Sequence, residues 1–324
     1  VGAKGEGRFE RISWDDALAE IAERFQDVID TVGAEGIWPY GGTGTVGFLQ
    51  GAPGAGKRLF NHLGASRHRV TICAVSGHVG MSYTMGTAAG MDPEELEYSD
   101  LIVLWGANTL TSNQHLWPFI ERGRANGAQV VVVDPVRTRT AARGDHHIAP
   151  LPGTDAALAL GVMAELDRQG ASDTAWLAAN AKGWDEFRTA ELSTWSAARA
   201  TEICGLDAGV VEHLVSLIGA SPTVGIRSSM GMHRHAGGGQ AMRVLSCLPA
   251  VTGDFGRRGG GICYSTSPAY GFDEHALNRP DLRPGPVRTL AMTRLGHGLL
   301  DLDDPPVNAL MIWAANPVVS NPDQ

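Results

Sequence analysis

Two runs, LIVLW at 101–105 and VVVV at 130–133, constrain the fold of this chain more than any other feature. Neither alternates apolar with polar residues, so a strand built from either has no face for water and must be covered on both sides. LIVLW runs into GANT, and VVVV runs into DP. Between them, NQHLWPFIERGRANG has the spacing of a helix closed by glycine. Strand, helix, strand with fully buried strands is a parallel α/β unit, and in such sheets ligands lie beyond the carboxyl ends of the strands. GANT and DPVRTRTA therefore stand where a ligand would sit.

The pattern extends in both directions. Ser13 precedes WDDALAEIAERFQDVID, with Asp15 and Asp16 in a first turn and Leu18, Ile21, Ala22 and Phe25 at helical spacing. GIWPYG reads as a short strand, followed by a glycine-rich stretch and a helix carrying Leu59, Phe60 and Leu63. PGTD reads as a loop and cap, Thr154 or Asp155 starting the helix AALALGVMAEL. Residues 171–220 read mostly as helix, PTVGIRSSMG as strand, QAMRVLSCLPAVTG as helix and GDFGRRGGGICY as a glycine-rich turn. Loops are expected over 265–304, then a last strand in VNALMIWAANP. The expected class is α/β with mostly parallel sheets and no internal repeat.

A net charge of -9 argues against nonspecific nucleic-acid binding, which needs clustered Lys and Arg. No window approaches the run of about 18 apolar residues that a membrane span requires, so none is expected. The four cysteines, Cys73, Cys204, Cys247 and Cys263, include no C-x-x-C pair. Val1 is not an initiator Met, and NPVVSNPDQ directly follows a strand, so the chain reads as the centre of something longer.

GAPGAGKR at 51–58 nearly matches a phosphate-binding loop: Gly51, Gly56 and Lys57 fit, but Arg58 stands where magnesium binding needs Ser or Thr, and Pro53 interrupts the loop. A glycine-rich helix start is the better reading than an NTPase. The strand tips say more. Asn108, Asp134, Thr138, Asp155, His235 and Asn316 stand where strands give way to loops beside small residues. One such residue is more readily a plain turn, since Asn and Asp dominate turns for conformational reasons. Five tips together indicate a ligand with sugar hydroxyls and a purine edge.

The ordered blocks GEGRFERISWDDAL, LIVLWGANT, VVVVDPVRTRTAARGDHHIAPLPGTDAALALGVM, GDFGRRGGG and ALMIWAANPVVSNPD cover nearly the whole chain. In them the sequence resembles the molybdopterin oxidoreductases of the dimethyl sulfoxide reductase superfamily, which also contains formate dehydrogenases and periplasmic and assimilatory nitrate reductases. The resemblance implies two Rossmann-like nucleotide-binding domains, one discontinuous (1–70 with 222–324) and one inserted (71–221). It implies a cofactor of two molybdopterin guanine dinucleotides around one molybdenum. One guanine nucleotide would lie against Gly106, Asn108, Asp134, Thr138, Gly153, Thr154 and Asp155, the other near Met230, Gly231, His235, Asn316 and Pro317.

Cys73, with Gly80 seven residues on, matches the position of the family's metal ligand, and Ser76 is the alternative. A thiolate is a soft ligand suited to a redox metal. His78 is a candidate proton relay. Ala74 stands where formate dehydrogenases of the family carry His, which lowers formate oxidation as an expectation. An N-terminal domain holding a 4Fe-4S cluster and a C-terminal domain closing over the pterins are expected outside these residues, so the fragment alone is expected to be inactive.

The implied function is the central portion of a molybdenum-dependent oxidoreductase. It would carry out two-electron redox of a small-molecule substrate by oxygen-atom or hydride transfer, with electrons passing to an iron-sulfur cluster and an electron-transfer subunit. The alternative is a non-catalytic electron-transfer or structural subunit that keeps the fold without molybdenum, as in the large iron-sulfur subunit of respiratory complex I.

Overall fold

A computed structural model describes residues 1–3, 5–44, 47 and 56–321. In chain order its strands are β1 (Ile37–Gly41), β2 (Arg67–Arg69), β3 (Leu101–Trp105), β4 (Gln129–Val133), β5 (His146–Ile148), β6 (Val224–Ser228), β7 (Gly261–Cys263), β8 (Thr289–Ala291) and β9 (Ala309–Trp313). The chain divides into two compact units, Val1–Cys73 with Phe272–Gln324, and Ala74–Gly271. Every ladder between these strands is parallel, as the unbroken apolar runs require.

The second unit holds a five-stranded sheet in the order β5-β4-β3-β6-β7. LIVLW is its centre, paired over five residues with β4 on one side and β6 on the other. Alternate residues feed two cores. Leu101, Val103, Trp105, Val131 and Val133 pack with the helix Asp155–Arg168, whereas Ile102, Leu104, Val130 and Val132 pack with Leu116 and Ile120. Each of these side chains is essentially out of water, worth about 1.5–3 kcal/mol apiece, and this is why neither strand alternates. The chain starts at β3, builds outward to β5, then returns to lay β6 and β7 on the other flank. The order therefore reverses between β3 and β6, the position at which doubly wound sheets bind ligands.

The domain boundary drawn at 221 differs from the observed division, which places 222–271 in the second unit. The reason is pairing: β6 is hydrogen-bonded along the whole of β3, from Leu101–Val224 to Trp105–Ser228, and β7 continues from β6. Cys73 correspondingly closes the first unit rather than opening the second.

In the first unit, β1 pairs with β9 and β2 with β8. Helix α1 (Trp14–Val32) starts as expected, the Ser13 hydroxyl accepting from the Asp16 N–H at 3.1 Å. Its later residues Phe25, Val28 and Ile29 pack on Ile37, Phe60 and Ala65, while Trp14, Leu18 and Ile21 stay exposed. Helix α2 (Gly56–Leu63) follows GAPGA, whose residues 51–55 lie outside the described part. The region expected to be all loop, 265–304, contains β8 and the helices Glu274–Asn278 and Leu295–Leu300. Strands as short as RHR and TLA carry no periodicity by which to find them.

Candidate functional site

The second unit holds eleven of the fourteen predicted site residues: ten on or beside the carboxyl edge of its sheet, and His78 on a helix in the same unit. Gly106 and Asn108 follow β3, Asp134 and Thr138 follow β4, Gly153, Thr154 and Asp155 follow β5, and Met230, Gly231 and His235 follow β6. The sequence assigned the last three to a second nucleotide. The structure puts them beside the first group: a Cβ on Gly231 would lie 3.0 Å from the Gly106 carbonyl oxygen, and one on Gly153 would lie 3.4 Å from His235 Nδ1. Asn316 and Pro317 lie in the first unit, opening the short helix Pro317–Ser320 after β9.

Several of these polar groups first hold the loops in place. Asn108 Oδ1 accepts from Thr140 Oγ1 at 2.7 Å, tying the loop after β3 to the loop after β4. Asp134 Oδ1 accepts from the Val136 N–H at 2.9 Å, and Thr138 Oγ1 accepts from the Ala141 N–H at 3.2 Å. Thr154 occupies the N-cap position of the helix Asp155–Arg168, but its hydroxyl donates to the Leu151 carbonyl instead of capping. Asp155 Oδ1 accepts from the indole N–H of buried Trp105 at 2.8 Å. Burial pushes the Asp155 carboxyl upward, and the Trp105 bond opposes that shift. His235 Nε2 faces the Met232 carbonyl at 3.1 Å, so that nitrogen carries the proton and leaves Nδ1 as an acceptor.

The glycines at this edge serve turn and packing. Gly106 has φ 61°, and a Cβ there would meet Met232 at 3.0 Å. A side chain would thus be excluded twice, by conformation and by space. What the edge offers a ligand is a set of polar atoms on half-buried residues: the amide nitrogen of Asn108, the second carboxylate oxygens of Asp134 and Asp155, and Nδ1 of His235. Carboxylate acceptors beside an amide donor suit a guanine edge and ribose hydroxyls, so the donor set fits the nucleotide part of the implied cofactor.

Cys73 is a free, half-buried thiol that directly precedes Ala74, the N-cap residue of helix α3 (Val75–Met85). In the second unit the first turn of α3 is clamped by a chain of directed hydrogen bonds. Tyr264 Oη donates to the Ala74 carbonyl at 3.3 Å, His233 Nε2 donates to Tyr264 Oη, and Ser76 Oγ donates to His233 Nδ1 at 2.9 Å. Only a neutral His233 completes this chain, and burial lowers its pKa accordingly. His78 lies edge-on to Tyr264 with ring centroids 5.3 Å apart, and its buried Nε2 has no hydrogen-bond partner among the described residues. Burial lowers its pKa as well.

Sequence reasoning singled out His235 in SSMGMHRH and missed His233, the more buried of the two, together with Tyr264. Nothing local distinguishes them, because their partners lie 157 and 31 residues away. Among the described residues no three of His, Cys, Asp and Glu gather as a metal site, and the four cysteines are all free. No helix of the described residues is long and apolar enough to cross a membrane.

The family model for molybdopterin oxidoreductase matches residues 3–315. The chain is 37% identical over 324 residues to the probable oxidoreductase YoaE of Bacillus subtilis, covering 100% of this chain and 47% of that protein. It is 33% identical over 294 residues to the dimethyl sulfoxide reductase DmsA of Escherichia coli, covering 80% of this chain and 36% of that one. Among solved structures it is similar to acetylene hydratase from Pelobacter acetylenicus, with a TM-score of 0.65 over 78% of this chain and 34% of that chain, at 24% identity, a likeness of fold. The chain spans about half the length, or less, of these curated relatives.

Proposed function

The chain belongs to the molybdopterin oxidoreductase family, and from that premise we propose that it is the cofactor-binding centre of a molybdenum-dependent enzyme catalysing two-electron redox of a small substrate. The observation that carries this reading is the convergence of nine predicted strand-tip residues and His235 at one carboxyl edge, beside the reversal between β3 and β6. In this reading the cofactor is the guanine dinucleotide form. Asp155 and Asp134 accept from its ring and sugar donors, Asn108 donates its amide, and His235 Nδ1 accepts. Asn316 and Pro317 are assigned to the second nucleotide. When bound, the molybdenum centre supplies the two-electron chemistry.

Cys73 is the proposed ligand, a thiolate matched to a soft redox metal. The Tyr264–His233–Ser76 chain holds the first turn of α3 within the second unit, the turn that directly follows Cys73 in sequence. His78, with a free buried nitrogen, is the proposed group for holding a proton near that turn. A 4Fe-4S cluster and an electron-transfer partner belong to the same proposal and draw on no described residue.

The test is chemical analysis of the protein produced with ample molybdenum. Stoichiometric metal and GMP released by acid are expected, with Cys73→Ala lowering bound molybdenum and Asp155→Ala lowering bound GMP. Metal-free protein, or molybdenum unaccompanied by GMP, would reject the reading. Unchanged metal content in Cys73→Ala would point instead to a fold retained without the metal ligand.

A further inference from the structure

We propose that a cavity in the first unit binds a small phosphorylated molecule that also carries a hydroxyl or amino donor. The cavity has a volume of about 360 Å³ and is walled by α2, the strands β1 and β2, and the segment 274–283. Among the described residues, three cations line it, Lys57, Arg67 and Arg283, against a single carboxylate, Glu274. Arg283 donates Nε–H to Asn61 Oδ1 at 2.8 Å, and its two terminal nitrogens have no partner among the described residues. Arg67 and Lys57 likewise have no side-chain ion pair among the described residues. The arrangement is unfavourable as it stands: burial and then the charge of Arg67 hold the Arg283 pKa down, and burial lowers that of Lys57, with Glu274 opposing. An anion with two negative charges relieves that repulsion, and two guanidinium forks suit phosphoryl oxygens.

A second observation is independent of charge. Asn278 lines the same cavity with only 9% of its surface exposed, and its Oδ1 is buried without a hydrogen-bond partner among the described residues. Its backbone carbonyl is already used, accepting from Asn61 Nδ2 at 2.7 Å. A buried acceptor left without a donor costs about 1–3 kcal/mol, so a donor on the ligand is the complementary group. Phe60 and Trp313, stacked at 5.6 Å, and Pro39 and Pro280 supply apolar wall for the carbon body.

Lys57 is the lysine of GAPGAGKR. Its neighbour Arg58 is engaged elsewhere, donating to the carbonyls of Leu277 and Ala276 at 2.5 and 2.9 Å. The near-match to a nucleotide loop thus contributes one cation to a site of a different kind. None of the residues proposed for the molybdenum cofactor lines this cavity, so the two proposals stand or fall separately.

The experiment is calorimetric titration of the full-length protein, isolated with and without its molybdenum cofactor, using orthophosphate, glycerol 3-phosphate and glycerol as probes. Saturable binding of both phosphates at one site per chain is expected, tighter for glycerol 3-phosphate, absent for glycerol and the same in both preparations. Arg67→Ala, at an exposed position safe for folding, weakens both phosphates about tenfold or more. Asn278→Ala brings glycerol 3-phosphate down to the affinity of orthophosphate and leaves orthophosphate unchanged. Circular dichroism melts confirm that each variant is folded. Absence of saturable binding, binding indifferent to Arg67→Ala, or binding lost on cofactor loading would each overturn the proposal.

Discussion

The ring of His68 is held between two groups that leave it no room for a second proton: Nδ1 accepts from the Trp38 indole N–H at 3.1 Å, and Nε2 donates to the Gly41 carbonyl at 2.9 Å. Burial, opposed by the Gly41 bond and reinforced by the charge of Lys57, takes its pKa from 6.5 to about 4. The unfolded chain therefore binds a proton below pH 6.5 that the folded chain refuses until about pH 4. Stability should fall as pH drops through that window, by on the order of 3 kcal/mol in total. Urea unfolding across this range reads the slope, and His68→Gln should flatten it; an unchanged slope would sink the assignment. Trp105 poses a related question at the other unit's sheet edge. Trp105→Phe leaves the half-buried Asp155 carboxylate without its donor and should cost about 1–3 kcal/mol in a urea melt.

Helix α3 shows what an element can hide. TICAVSGHVGMSYTMG has glycines and no apolar stripe, so nothing in its pattern marks a helix, and the sequence offered only a ligand position with a glycine seven residues on. The structure gives that glycine a physical reason. A Cβ at Gly80 would lie 2.2 Å from the Gly239 carbonyl oxygen, and one at Gly77 would lie 2.6 Å from the Tyr264 ring. The helix packs by close backbone approach to the helix Gly238–Leu245 rather than by an amphipathic face. Gly80→Ala should therefore destabilise by about 1–3 kcal/mol or more in thermal melts, while Ser82→Ala, exposed on the same helix, should change little. Helix α1, by contrast, was legible from Ser13 and its acidic first turn, because capping is written in adjacent residues.

At the scale of the molecule, the division into units makes a testable claim about foldability. Ala74–Gly271 is continuous and contains the whole five-stranded sheet with both of its cores. Expressed alone, it should unfold in one cooperative transition by circular dichroism, as a domain with its own core does. A fragment stopping at residue 221 lacks β6 and β7, leaves one edge of β3 unpaired, and should be aggregated or molten. Equal behaviour of the two fragments would contradict the observed boundary.

The burial of β3 and β4, the parallel sheet and the position of polar and glycine residues at the strand ends followed from sequence alone, because an unbroken apolar run admits one environment and turn residues cluster where strands end. Tertiary structure alone decided which strand lies beside β3, that Gly231 and His235 join the tips of β3 and β5, that Ser76, His233 and Tyr264 form one chain, and that Lys57 and Asn278 line one cavity. Local periodicity reports how a residue is buried, not against what. Asn61 and Asn278, 217 residues apart, share a hydrogen bond that no window of sequence contains.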